Sequence, residues 1–406
     1  MGRGISPLDR ELGLSASAFS PYLVEAVTRL GTAMPFERVP EALSFFTQVG
    51  IGEETARAVT ERAGAILQEL EEAEVAEIER GERSEEAGLP VQQVSVDGAM
   101  VHLVKEGWAE VKTLAIGKVE VTLGGEVHAK EVSYFSRLDT ADEFRRLAVG
   151  ELCRRGTVSA KTVCAVVDGA EWLQKFVDWH VPQAVRILDF PHAAEHVSLA
   201  AQAAFGPGTA EVSEWLDRWL HELKHGDPDQ VLAAVRALPT ENSTDPVGAA
   251  KTRDQIVAYL AKRRAQIAYA EFLAAGYPIG SGMVESANKL VVEARLKGSG
   301  MHWARPNVNP MLALRTAACS GRWKQEWPRI WQGLCAPRRK RRRADAEPAP
   351  TDPISTPDPP RPPLRPKHPG AIKLEKRGLI QNGRPSDQHP WKAGLRYRDR
   401  SMSAPS

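Results

Sequence analysis

The sequence is poor in cysteine, in long apolar runs and in net charge, and each shortage excludes something. Its four cysteines, Cys153, Cys164, Cys319 and Cys335, form no CxxC pair, so no zinc ribbon is expected and the thiols read as reduced ones in a cytoplasmic protein. No apolar run reaches the roughly 18 residues that a membrane-spanning helix needs. The amino terminus, MGRGISPLDRELG, lacks the apolar core of a secretory signal. The net charge of +1 conceals a division of the chain. Residues 336–406 carry 17 Lys/Arg against 7 Asp/Glu, leaving 36 against 45 in the preceding 335 residues. An acidic body with a basic tail points to a polyanionic partner, met partly through the tail.

At 406 residues the chain is long enough for more than one module. Residues 1–90 carry apolar positions at helical spacing. Between Phe46 and Leu70 a short break at VGIG separates two helical patterns, the outline of a helix-turn-helix or of an ordinary helical hairpin. The character changes at Val91. VQQVSVDGAMVHLV, AEVKTLAIGKVEVTL and EVHAKEVSYFSRL show β-branched residues and Gly breaks that predict three strands joined as hairpins. A helix follows at about 140–155, and then KTVCAVVDG and AVRILDF read as short strands buried on both faces, each leading into a helix. Residues of about 206–276 are helical in pattern, an insertion within a mixed α/β domain spanning 91–335. The remainder, 336–406, contains 14 of the 29 prolines and reads as a Pro/Arg-rich disordered tail.

Two aspartates stand at the ends of apolar strands, Asp97 in VSVDG and Asp168 in AVVDG. A third carboxylate, Glu285, lies in the first turn of a helix after the Gly-rich GYPIGSG. Strand ends are where open α/β sheets place their ligands, and three carboxylates present hard oxygens suited to Mg²⁺ or Mn²⁺. Two such ions can activate an attacking oxygen and stabilise a leaving one in phosphoryl transfer. Asp-Gly is also an ordinary turn pair; what favours a site is the order strand-Asp, hairpins, strand-Asp, helical stretch, helix-Glu, the layout of an RNase H-like core. GYPIGSG lacks the Lys-Ser/Thr of a P-loop, so binding of a nucleoside triphosphate there is not expected.

The segments VDGAMVHLVKEGWAEVKTLAIG, VVDGAEWL, ILDFPHAAEH and GYPIGSGMVESANKLVVEARLKGSGMHWARPNVNPMLALRTAACSGRW resemble transposases of ISKra-type bacterial insertion sequences, over about Ser6 to Trp323, with an echo in HPWKAG. The resemblance implies an RNase H-like DDE fold, a catalytic and metal-binding triad at Asp97, Asp168 and Glu285, and cleavage and strand transfer of DNA at element ends. It further implies a homo-oligomer during the reaction and a nucleoid-associated location in the cytoplasm, without a membrane. DFPH also resembles the Asp-x-x-His signature of Mutator-like transposases, making Asp189 and His192 auxiliary candidates for a phosphate oxygen or a metal-bound water; a helix cap with a satisfied histidine is the plainer alternative. Lys289, Arg295, Lys297, Trp303 and Arg305 interleave basic groups with an aromatic, a pattern suited to phosphate contacts and stacking on a frayed or flipped base. Arg338, Arg339, Lys340, Arg341, Arg342 and Arg343 form a basic hexamer suited to non-specific, salt-dependent DNA contact.

Two other readings stand beside this one. HAAEH, from His192 to His196, matches the H-x-x-E-H pattern of zinc peptidases, with Glu195 as base and a distant carboxylate as third ligand. A catalytically silent DNA-binding remnant or regulator is the other. Relatives of the resembled family often carry cysteine pairs upstream of where this chain starts, so the amino terminus is expected to be truncated or a shorter variant.

Overall fold

A computed structural model describes residues 19–83, 86–241 and 243–336, together with the backbone of a two-residue ladder pairing 380–381 with 384–385. The basic hexamer 338–343 and the rest of the tail lie outside the described residues. The chain divides into two compact units, Met1–Arg338 and Arg339–Ser406; the first holds the main sheet and its helices.

Five strands form one mixed sheet in the order β3-β2-β1-β4-β5. They are β1 (Val91–Leu103), β2 (Gly107–Val121), β3 (Val127–Arg137), β4 (Thr162–Val167) and β5 (Val185–Leu188). The first three are antiparallel hairpins, and β4 and β5 add in parallel beside β1. This is the mixed α/β sheet of an RNase H-like fold, as the strand patterns predict. The parallel strands are continuously apolar because both of their faces are covered. Val163, Ala165 and Val167 of β4 face α4 (Ala141–Arg154) and α5 (Glu171–His180), meeting Phe144, Leu147, Leu173 and Phe176. Cys164 and Val166 point the other way, onto α6 (Phe190–Phe205) through Ala193, Val197 and Ala200. A period of two divides one short strand between two cores.

Between α6 and the helix of Glu285 the chain is helical, through α7 (Ala210–His225), α8 (Pro228–Arg236), α9 (Pro246–Lys262) and α10 (Tyr269–Ala274). Leu223, Val231, Leu232, Val235, Ile256 and Leu260 from these helices extend the core behind α6. The helix carrying Glu285 runs from Gly282 to Leu296, with α11 (Gly282–Ala287) leading into a π-helical stretch over Asn288–Glu293 and a last short turn. It lies across β1 and β2. Close approach is possible because β2 carries Gly117 at a bulge in its pairing, where any Cβ would stand 2.8 Å from the sulfur of Met283.

The amino-terminal helices α1 (Pro21–Ala33), α2 (Val39–Thr47) and α3 (Glu53–Glu79) belong to the same compact unit as the sheet. Val24, Ala63 and Leu67 pack with Ala313, Leu314 and Ala317 of α12 (Arg305–Cys319), and with Trp323, Trp327 and Ile330 of α13 (Trp323–Cys335). Gly64 lets α3 touch α12, since a Cβ there would lie 2.4 Å from the Pro310 carbonyl oxygen. This packing bears on the helix-turn-helix outline. The would-be recognition helix α3 buries one side in the core, and its free side presents Glu53, Glu54, Glu69, Glu72 and Glu77. An acidic face is repelled by phosphate, so α3 is a packing helix and not a groove reader.

A buried ion network fastens α3 to α4 and α13. Glu74 of α3 lies 2.7 Å from Arg154, 2.6 Å from Arg329 and 3.2 Å from Arg83. Glu151 of α4 takes Arg154 at 2.5 Å and Arg322 at 3.0 Å. Alongside, Arg137 at the end of β3 pairs with Glu71.

Candidate active site

Asp97 and Asp168 are brought level by the sheet. In the parallel pairing of β1 with β4, Val91 stands opposite Thr162 and Val94 opposite Ala165. Three more residues along each strand reach Asp97 and Asp168, on neighbouring strands about 4.8 Å apart. Asp168 leaves the sheet directly after Val167, and its Oδ1 accepts from the Ala170 N–H at 2.7 Å, which turns the chain into α5. Asp97 remains within β1, where its Oδ1 accepts from the Gly98 N–H at 2.7 Å.

The second oxygen of Asp97 reaches the helix of Glu285. Asn288 donates its Nδ2–H to Asp97 Oδ2 at 2.9 Å, with a longer contact of 3.5 Å to the Gly98 carbonyl. Glu285 sits three residues earlier on the same helix, and residues i and i+3 share a helix face. Burial raises the Asp97 carboxyl above its ordinary range, and the negative charges of Asp168 and Glu285 add to the rise; the Gly98 N–H and Asn288 oppose it. A carboxylate held uncomfortable by burial and like charge is one whose ionised form a cation would favour.

Among the described residues, no three His, Cys, Asp or Glu side chains are grouped tightly enough to hold an ion as they stand. The donor chemistry nevertheless fits a hard cation: three carboxylates, Glu285 being exposed at a helix start and free to swing, with the buried Oδ1 of Asn288 beside them lacking any partner among the described residues. Asn288 is the residue that sequence reasoning missed. Its spacing of three from Glu285 was the available signal, but an Asn on a helix otherwise reads as a surface residue. Replacing Asn288 with Ala is expected to weaken cation affinity or turnover about 10- to 100-fold, the usual cost of removing a group that orients a ligand. The check is titration of the variant with Mg²⁺ and Mn²⁺; unchanged affinity and rate would remove Asn288 from the site.

The insertion grips the end of β4. Arg263 Nη2 donates to the Gly169 carbonyl at 2.6 Å, and its guanidinium lies 3.8 Å above the Tyr259 ring. His196 stacks on the same ring at 4.1 Å. Gly169 is required here, because a Cβ would fall 1.8 Å from the Tyr259 hydroxyl. Neither Tyr259 nor Arg263 carried a motif that sequence reasoning could use.

Several expected site residues have other duties. Asp189 is buried with both oxygens committed, accepting from the His192 N–H at 3.1 Å and from the Ser281 N–H at 2.6 Å. It is a helix cap that also ties α6 to the loop before Glu285, so it is a positioning residue and not a cation ligand. His192 Nε2 lies 3.2 Å from His196 Nε2. The two imidazoles face one another as H-x-x-E-H requires, but no third His, Cys, Asp or Glu joins them among the described residues, and His196 is engaged by Tyr259. The zinc-peptidase reading therefore has no third ligand.

The basic and aromatic residues also divide. Lys289 is exposed. Lys297 and Arg305 are exposed as well but paired, with Glu293 at 2.8 Å and with Glu106 at 2.7 Å. Arg295 is only 2% exposed, its guanidinium set between the rings of Phe36 at 4.6 Å and Trp303 at 5.1 Å. Trp303 is itself buried and donates its indole N–H to the Leu296 carbonyl at 3.2 Å. Trp303 is thus a core residue, with no face left for a nucleobase, and Arg295 is held inside the fold instead of on a solvated helix face.

Comparisons with known proteins add little to this geometry. The chain matches no protein-family profile, and no curated protein sequence matches it. Among solved structures, a chain of the Drosophila P element transposase strand transfer complex aligns with 79% of this chain and 83% of its own, at 11% identity and a TM-score of 0.24. A likeness that loose gives no residue correspondence. No described helix is long and apolar enough to cross a membrane.

Proposed function

We propose that this protein is a DDE transposase of a bacterial insertion sequence, cutting DNA at element ends and joining it to a target. The observation that carries the reading is the level placement of Asp97 and Asp168 on adjacent parallel strands, with the Glu285 helix joined to Asp97 through Asn288. The RNase H-like strand order supports it, as do the motifs that resemble ISKra-type transposases.

On this reading Asp97, Asp168 and Glu285 hold two Mg²⁺ or Mn²⁺ ions, which supply Lewis-acid stabilisation of the attacking and leaving oxygens. The chain's own residues do the positioning. The sheet fixes two carboxylates, Asn288 aims one of them, and Glu285 is mobile enough to close on the site. Asp189 anchors the loop before Glu285, and Arg263 with Tyr259 holds the peptide after Asp168. Lys289 is placed to meet a phosphate on the same helix, with the basic hexamer 338–343 adding non-specific attraction. Joining two ends calls for at least a dimer of this chain during the reaction.

The test is incubation of the full chain with the DNA flanking its reading frame. In Mg²⁺ a nick is expected at the element boundary. Binding without any strand cleavage, in Mg²⁺ or in Mn²⁺, would favour the silent DNA-binding remnant and overturn this reading.

A further inference from the structure

A buried arginine with no carboxylate is the least settled group in the fold. Charges taken out of water are normally paired with an opposite charge or with a ligand. Arg295 donates its Nε–H to the Gly31 carbonyl at 2.9 Å and makes a long contact to the Met301 sulfur at 3.8 Å. Its Nη2 is buried and has no partner. No ion pair to it exists among the described residues. Its neighbours make matters worse: burial pulls the guanidinium down to about 10, and the charges of Arg315 and Arg57 add to that. Arg315 is satisfied by the carbonyls of Val291, Thr32 and Leu290, whereas Arg57 has an Nε without a partner.

Both open donors line one cleft of about 710 Å³ between α3, the 3₁₀ turn at Phe36–Arg38 and the segment after the Glu285 helix. That segment is Gly298-Ser299-Gly300, exposed, with Gly300 at φ +73°. The backbone N–H groups of Gly298, Ser299 and Gly300 donate to nothing among the described residues. Successive free N–H groups around a left-handed residue form a concavity that suits an anion. The acids on the wall offset this little. Glu53 is occupied with Arg57 at 2.6 Å, and burial raises Glu61 toward its neutral, hydrogen-bond-donating form.

We propose that this cleft is a phosphate-binding site, in which Arg295 and Arg57 take the phosphate oxygens and the 298–300 loop donates from its backbone. Guanidinium forks match phosphate geometry, and a phosphate would pair the charge that the fold leaves open. Arg295 is ten residues after Glu285 on one helix, about 15 Å along its axis. That equals the rise of about four nucleotides of duplex DNA. Resting on the proposed transposase reading, the phosphate belongs to the DNA strand running from the carboxylates; a free phosphate-bearing small molecule is the other source of the same chemistry.

Thermal unfolding of the full chain, in chelator, is measured with inorganic phosphate and with sodium chloride at matched ionic strength. Phosphate should raise the midpoint by several degrees more than chloride, and Arg57→Gln and Arg295→Lys should each remove at least half of that excess. Arg57 is half-buried and its loss leaves the core intact, so it carries the test if Arg295→Lys fails to fold. Equal midpoints in the two salts, or an undiminished excess in Arg57→Gln, would overturn the site. Titration with a short DNA duplex identifies the source. For a DNA phosphate, the slope of log affinity against log salt falls by about 1 in Arg57→Gln. An unchanged slope, with the phosphate excess still lost, assigns the site to a free phosphate compound. Because inorganic phosphate requires neither the carboxylates nor DNA, the site stands or falls separately from the cleavage reaction.

Discussion

Asp97→Asn or Asp168→Asn should lower Mg²⁺-dependent strand cleavage by about three orders of magnitude or more, while the protein remains folded. The size follows from what the carboxylates do on the proposed reading: charge stabilisation by a bound cation contributes several kcal/mol to the transition state, and each 1.36 kcal/mol is roughly tenfold in rate. Folding should not suffer. In the cation-free protein Asp97 is a cost, since burial and then the charges of Asp168 and Glu285 disfavour its ionised form. The neutral amide keeps an oxygen for the Gly98 N–H and removes that repulsion. The cation-free variant should therefore unfold at a temperature equal to or above that of the wild type. Mg²⁺ should raise the wild-type midpoint and leave that of Asp97→Asn unmoved. A variant that still cleaves within tenfold of wild type would eliminate the carboxylate site. One that loses cleavage but keeps the Mg²⁺ stabilisation would place the cation elsewhere.

The second large effect concerns stability. Glu151→Ala should destabilise the fold by about 3–5 kcal/mol, the usual cost of removing one partner from a buried charge pair. The glutamate is 1% exposed and is shared by Arg154 and Arg322. Its loss leaves two arginines beneath α3 with less compensation. Burial by itself would raise the Glu151 carboxyl, but Arg322 and Arg154 outweigh it and hold the group below the ordinary carboxylate range. A depressed folded-state pKa stabilises above the unfolded value of about 4.3, and that contribution is lost as pH falls through the folded value. Urea midpoints for wild type and Glu151→Gln should thus be well separated at neutral pH and converge in acid. A gap independent of pH would mean that the network contributes packing and not charge.

The strand framework was readable because its signals are local. A period of two, apolar runs of strand length and an Asp-Gly at the end of each suffice to place Asp97 and Asp168, and a Gly-rich loop marks the start of the Glu285 helix. What stayed hidden depends on distant partners. Asp189 looks like a helix cap and is one, but its bond to the Ser281 N–H joins positions 92 residues apart. Arg295 and Trp303 follow a polar helix end and read as solvent-facing. They are buried because α1 and Phe36, more than 250 residues earlier, close over them. The acidic side of α3 is plain in the sequence, yet its other side became a core face only through Pro310, Trp323 and Trp327. Pattern reading assigns a residue to an element; which neighbour covers that element is a property of the folded chain.

The π-helical stretch at Asn288–Glu293 sets a phase. It adds a residue to the helix between Glu285 and Arg295, and each residue of an α-helix turns the next by about 100°. A single deletion between 289 and 293 would restore regular winding and rotate everything beyond it by that angle. Arg295 would then swing out from between Phe36 and Trp303, while Glu285 and Asn288 kept their places over Asp97. Length changes in that stretch are therefore constrained even where its side chains are exposed. In a set of related chains, an indel-free window there would be the mark of two ends that must be read together.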